Sequence, residues 1–209
     1  MEQSCNGLID YQQFLQGVGN SSSEVIISFL MQELPYVWRD KYVETTTPPT
    51  NIICFQYGSF QYVYDDYASL EATGAVPYNP NREARLVAAF GISAPHKKKR
   101  DDYRLKNWVG STETMFGSRW DKAHFIAHSI GGAVDGMEAN VFVQRRDTNR
   151  GWSPDGRRFR KMEQYCATNA STFCFSRPLY NDLMAKPAFV EFGILKLNGE
   201  LWVECFDNR

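Results

Sequence analysis

Two histidines four residues apart, an asparagine in a TNRG turn, a run of arginines and a glutamate fall within DKAHFIAHSIGG (121–132), NVFVQRRDTNRG (140–151) and RRFRKMEQY (157–165). These residue types suit hydrolysis at a phosphate ester. An imidazole with an unperturbed pKa near about 6.5 takes a proton from water close to neutral pH, and such catalysis typically contributes roughly 10² to 10⁴ in rate. A hard cation such as Mg²⁺ prefers oxygen ligands and keeps several waters. One amide oxygen and one carboxylate therefore suffice when a substrate phosphate completes the shell. Guanidinium groups neutralise the phosphoryl oxygens as charge grows on them.

Each residue also has a plainer role open to it. His124 alone suits a structural histidine, and Asn149 alone suits a helix cap or turn. His128 shares a face with His124 on a helix or on a strand, so it is either substrate-facing or structural. Asn140 reads as structural, holding the turn before a strand, while Gln144 suits either purpose. The KKKR run (97–100) reads as a solvated loop, with phosphate contact the sharper alternative. Trp152, Phe173, Phe175 and Tyr180 read as core or lid without a function. Structural zinc is disfavoured because no CxxC pair exists.

Together the three segments resemble the DNA/RNA non-specific endonucleases, members of the ββα-metal or His-Me finger nucleases. That pattern runs Asp-Arg-Gly-His, then Asn with Pro-Gln, then Leu-Asn-x-Gly and a helical Glu. The likeness spans residues 119–165, roughly a quarter of the chain, and is similar to members found as bacterial toxin modules. By position it implies that Asp121-Lys122-Ala123-His124 fills the first motif, with His124 the general base and Lys122 and Arg150 assisting. Asn149 falls on the metal-binding Asn, Glu163 on the helical Glu, and Asn140 and Gln144 on the intervening strand. Arg145, Arg146, Arg158, Arg160 and His128 are then expected to meet substrate.

The resemblance thus implies Mg²⁺- or Mn²⁺-dependent endonucleolysis of DNA, RNA or both, in a toxin or defence setting, with an immunity or inhibitor protein as a partner that a toxin implies. An inactive nucleic-acid-binding or protein-interaction module is the alternative. The sequence departs from the pattern at Lys122 and Ala123, which stand for Arg and Gly. Lys keeps the charge but not the bidentate fork. Val143 stands for Pro, and WSPDGR (152–157) reads as an insertion before the helix.

The elements that must hold these residues are legible in part. Ser21 followed by Glu24 looks like a capping box, and Val25, Ile26, Phe29, Leu30 and Leu34 recur at helical spacing, which predicts a helix ending near Pro35. TTTPPTN (45–51) is a breaker. IICFQYGSFQYVY (52–64) predicts two strands around Gly58 and Ser59. A short helix is expected over 67–73 and an apolar strand or helix over 85–90. The site region reads as strand, loop, strand, helix, and Asn198-Gly199 joins two alternating runs into a hairpin on the central sheet. The expected fold is α+β, a mixed or antiparallel sheet with a ββα-metal core over about 119–167. An elaboration over about 1–50 and the C-terminal hairpin complete one domain of 209 residues.

Formal charge is only −1, yet 13 of the 23 Lys and Arg residues lie in 96–106 and 145–161. The charge is polarised, as a local phosphate footprint requires. Five cysteines, an odd number, read as mostly reduced thiols, with Cys166 and Cys174 spaced to close a small disulfide loop in an oxidising compartment. No basic, apolar leader is visible at the N-terminus, and no apolar run is long enough to span a bilayer. The expectation is a cytoplasmic protein, or one delivered by a signal-independent secretion system, with no membrane partner.

Overall fold

The computed structural model describes residues 8–19, 21–95, 112–133 and 138–209. Cys5 and the basic run from His96 to Lys106 lie outside them. The first part of the chain contributes α1 (Tyr11–Leu15), α2 (Ser23–Thr45), β1 (Ile52–Tyr57), β2 (Phe60–Asp65), α3 (Tyr67–Ala72) and β3 (Arg85–Ile92). Then come α4 (Thr112–Phe116), β4 (Trp120–His124), β5 (Val141–Arg145), α5 (Arg146–Asn149) and α6 (Pro154–Thr168). Strands β6 (Phe173–Leu179), β7 (Phe189–Leu195) and β8 (Leu201–Asp207) close the chain.

Helix α2 does not stop at Pro35. Ile26, Leu30, Leu34, Trp38 and Tyr42 form one buried stripe at four-residue spacing, so the apolar face continues past the proline. A proline inside a helix costs about 3 kcal/mol. Burying Trp38 and Tyr42 returns roughly 1.5–3 kcal/mol each, enough to carry the helix through. The N-cap is Ser22 rather than Ser21, whose hydroxyl instead donates to the Val18 carbonyl at 2.5 Å.

Six antiparallel strands make the main sheet in the order β1-β2-β3-β6-β7-β8. Both expected hairpins are present, β1 with β2 and β7 with β8, and the 85–90 segment is a strand. Strand β6, in the middle of the sheet, has no counterpart in the sequence reading. Its Pro178 argues against a central strand, because proline cannot donate to a ladder. The register resolves the conflict: β3 pairs only with Phe173–Ser176, so Pro178 lies beyond that ladder and faces β7 alone. Phe173 and Phe175 are core, as expected.

Each face of the sheet is covered. Helix α2 packs on one side against Val87, Phe90, Phe173 and Phe175. On the other lie the two-stranded β4–β5 ribbon and α6, packed over Tyr62, Leu86, Phe192 and Phe206. The molecule is therefore a layered α+β structure built on an antiparallel sheet. Cys166 of α6 and Cys174 of β6 are both buried free thiols, so the disulfide loop that their spacing allows is not formed.

The segment WSPDGR, read as an insertion before the helix, forms the start of α6 itself. Ser153 caps α6 by accepting from the Gly156 amide at 3.0 Å, and Pro154 takes a first-turn position where its missing N–H is harmless. A methyl group on Gly156 would stand 2.6 Å from the Asp147 carbonyl oxygen. The absence of a side chain at Gly156 thus lets the start of α6 lie directly on α5.

Candidate active site

The ribbon brings the first two segments together. Asp121 pairs with Gln144 and His124 with Val141, so His124 is the last residue of β4, where the chain leaves the ribbon. The loop that follows is held by Asn140, which is fully buried. Its carboxamide accepts from the Ile126 amide at 2.9 Å and donates to the carbonyls of Ile126 at 2.9 Å and Ala133 at 2.6 Å. Gly132 completes the loop, since a Cβ there would lie 1.9 Å from the Ile126 oxygen. The structural role expected of Asn140 is the one observed, and the loop it pins carries His128.

Five separate segments then converge on a pocket of about 280 Å³. His124 from β4, His128 from the loop, Gln144 from β5, Asn149 from the end of α5, and Arg160 and Glu163 from α6 all line it. Arg160 and Glu163 are three apart on α6, which places both on one helix face.

Asp121 organises the wall beside the pocket. Its Oδ2 accepts from Asn149 Nδ2 at 3.2 Å and Arg150 Nε at 2.7 Å, and its Oδ1 accepts from Arg146 Nε at 2.9 Å. Burial would raise this carboxyl, yet the hydrogen bonds from Arg150, Asn149 and Arg146 hold it below the ordinary aspartate range. A carboxylate can only accept, so it fixes which end of the Asn149 amide faces it. The Oδ1 end remains as the acceptor for a ligand. Arg160 Nη2 donates to the Asn149 carbonyl at 2.8 Å, tying α6 to the same residue.

Glu163 is treated differently. Burial pushes its carboxyl up from 4.5 to about 7, with Arg160 pulling only partly the other way. No described residue donates a hydrogen bond to it. A cation arriving beside it would restore the charged form. The Asn149 oxygen and the Glu163 carboxylate thus fit a hard divalent cation such as Mg²⁺ or Mn²⁺, with water and substrate oxygens completing the shell. Among the described residues, no three His, Cys, Asp or Glu side chains gather as a metal cage.

Several expected site residues are elsewhere. Lys122, Arg145, Arg146, Arg150 and Arg158 do not line this pocket. Arg145 is paired with Asp147, and Arg158 with Asp155 and Glu204 on an outer face of α6. The residue that the sequence reading left without a role is Asp121. Its place at the head of the first motif was the available signal, because a carboxylate there can orient a ligand without touching it. No family model matches the chain, and no curated protein matches it.

Proposed function

We propose that this chain is a divalent-cation-dependent nuclease that hydrolyses phosphodiester bonds of DNA, RNA or both. The observation carrying this reading is that His124, Asn149 and Glu163, from three segments, line one pocket with Arg160 at its side. On this reading the β4–β5 ribbon and α6 are the ββα-metal core of a His-Me finger nuclease.

His124 is the general base and takes a proton from the attacking water. Asn149 Oδ1 and Glu163 hold the cation, which supplies charge stabilisation at the phosphoryl and leaving oxygens when bound. Asp121 keeps the Asn149 amide oriented, and Arg160 offers a guanidinium to a phosphate oxygen while bracing the Asn149 backbone. Lys122 falls outside the pocket lining, so no step is given to it.

Incubating supercoiled plasmid and single-stranded RNA with the protein in Mg²⁺ or in EDTA tests the reading. Degradation only with the cation supports it. A mobility shift in both conditions without cleavage would instead identify a nucleic-acid-binding module.

A further inference from the structure

A second depression, of about 470 Å³, lies on the other side of α5 and carries nothing that hydrolysis requires. Trp120, Trp152, Arg119, Arg145, Arg146 and Arg209 line it. Trp152 was expected in the core or a lid, but it is 62% exposed. Arg150 stands over its ring at 5.1 Å, and Lys186 Nζ sits 3.7 Å from the Trp120 ring centre. Arg119 is exposed and forms no ion pair with a described residue. Cationic groups outnumber Asp121, Asp147 and Asp207, the acids they pair with.

An exposed indole among guanidinium groups offers two things to one ligand, a face for a flat ring and charge for an anion. Nucleotides combine both. The groove and the candidate active site are set on the same short helix, α5, whose Arg146 lines the first and whose Asn149 lines the second. Arg146 and Asn149 stand at the two ends of the single turn of α5, and both donate to the Asp121 carboxylate. A strand held at the pocket therefore has its next nucleotide over the groove.

We propose that this groove is a subsite for an unpaired nucleotide flanking the scissile phosphate, with its base stacked on Trp152 and its phosphate held by Arg119 and Arg146. This inference rests on the nuclease reading and narrows its substrate to single-stranded or unstacked nucleic acid. Bases inside a duplex already cover one another and offer no free face to an indole.

Fluorescence anisotropy with labelled oligothymidylate, oligouridylate and a duplex of equal length tests it, using the full chain in EDTA. Trp152→Ala weakens single-strand binding by about 10-fold, Trp152→Phe stays within about 2-fold of wild type, and duplex binding is unchanged. Arg119→Glu, an independent exposed change, weakens single-strand binding and flattens its salt dependence. Wild-type single-strand affinity in both Trp152→Ala and Arg119→Glu overturns the subsite, even if Mg²⁺-dependent cleavage is intact. Trp152-dependent binding by a chain that never cleaves upholds the groove and removes the nuclease reading. Failure of the wild type to bind any oligonucleotide in EDTA overturns the subsite, and the nuclease reading is then decided by cleavage in Mg²⁺ alone.

Discussion

Each face of the main sheet shields an acid from water, one fully and one in part, and the two are treated in opposite ways. Under α2, Asp65 is 1% exposed and accepts from Tyr42 Oη at 2.8 Å, the Asn51 amide at 2.8 Å and Arg82 at 3.4 Å. Arg85 continues that network through Tyr42 Oη and Thr46 Oγ1, both at 2.8 Å, with its guanidinium 4.2 Å from the Tyr180 ring centre. On the ribbon face, Glu163 is half-buried beside Arg160 with no hydrogen bond from a described residue, and desolvation raises its carboxyl to about 7. A buried charge that is fully matched belongs to the scaffold. On the proposed reading, the acid left unmatched in a pocket beside a histidine and an oriented amide is the one that receives a ligand.

The largest effect expected from disturbing this contrast is on the scaffold side. Asp65→Ala removes the counter-charge of the buried Arg82 and the acceptor of the Tyr42 hydroxyl and lowers stability by about 3–5 kcal/mol, read by urea unfolding. Cleavage per folded molecule stays at wild type, because the network is on the far face of the sheet.

Glu163→Gln works in the other direction. An acid whose pKa is raised on folding retains its proton in the native state. Its stabilising effect is therefore present below 4.5 and lost as pH rises through about 7. Without added cation, Glu163→Gln melts with wild type near pH 4.5 and above it at pH 8, by on the order of 3 kcal/mol. Added Mg²⁺ raises the wild-type melting temperature more than the variant's. Equal melting at both pH values would show that the carboxylate is not held in a desolvated site.

Smaller effects follow. Asp121→Asn loses the acceptor that orients Asn149, and cation affinity measured by calorimetric titration falls about 10- to 100-fold. Arg158→Ala changes stability by less than about 0.5 kcal/mol and leaves cleavage at wild type, since its exposed guanidinium pairs with Asp155 on α6 and Glu204 on β8, away from the pocket. A large loss of cleavage in that variant would restore the substrate contact expected from sequence.

Legibility followed locality. The β1–β2 and β7–β8 hairpins were readable because turn residues and alternation lie within a few positions of each other. Strand β6 was not, because its Pro178 is acceptable only once the partial ladder with β3 is known. Pro35 misled in the same way: the helix continues because Trp38 and Tyr42 find a sheet surface that local propensity cannot report. In the site, residue types leave His124 and His128 both open as the base, and it is the family resemblance that implies His124, Asn149 and Glu163, which line one pocket. The arginines were harder to sort, since whether a guanidinium meets an acid or a substrate depends on neighbours far along the chain. Trp152, for which core or lid is the expectation, is not core: its neighbours are the short α5 and the capped start of α6, where little covers it.

The central claim concerns His124 and the cation side of its pocket. Initial rates of DNA and RNA cleavage in Mg²⁺ for wild type and His124→Ala, with thermal melts as the folding control, test it most directly. The account predicts a loss of at least about 10² in rate with an unchanged melting temperature. Wild-type cleavage by the folded variant, or cleavage that persists undiminished in EDTA, would contradict it.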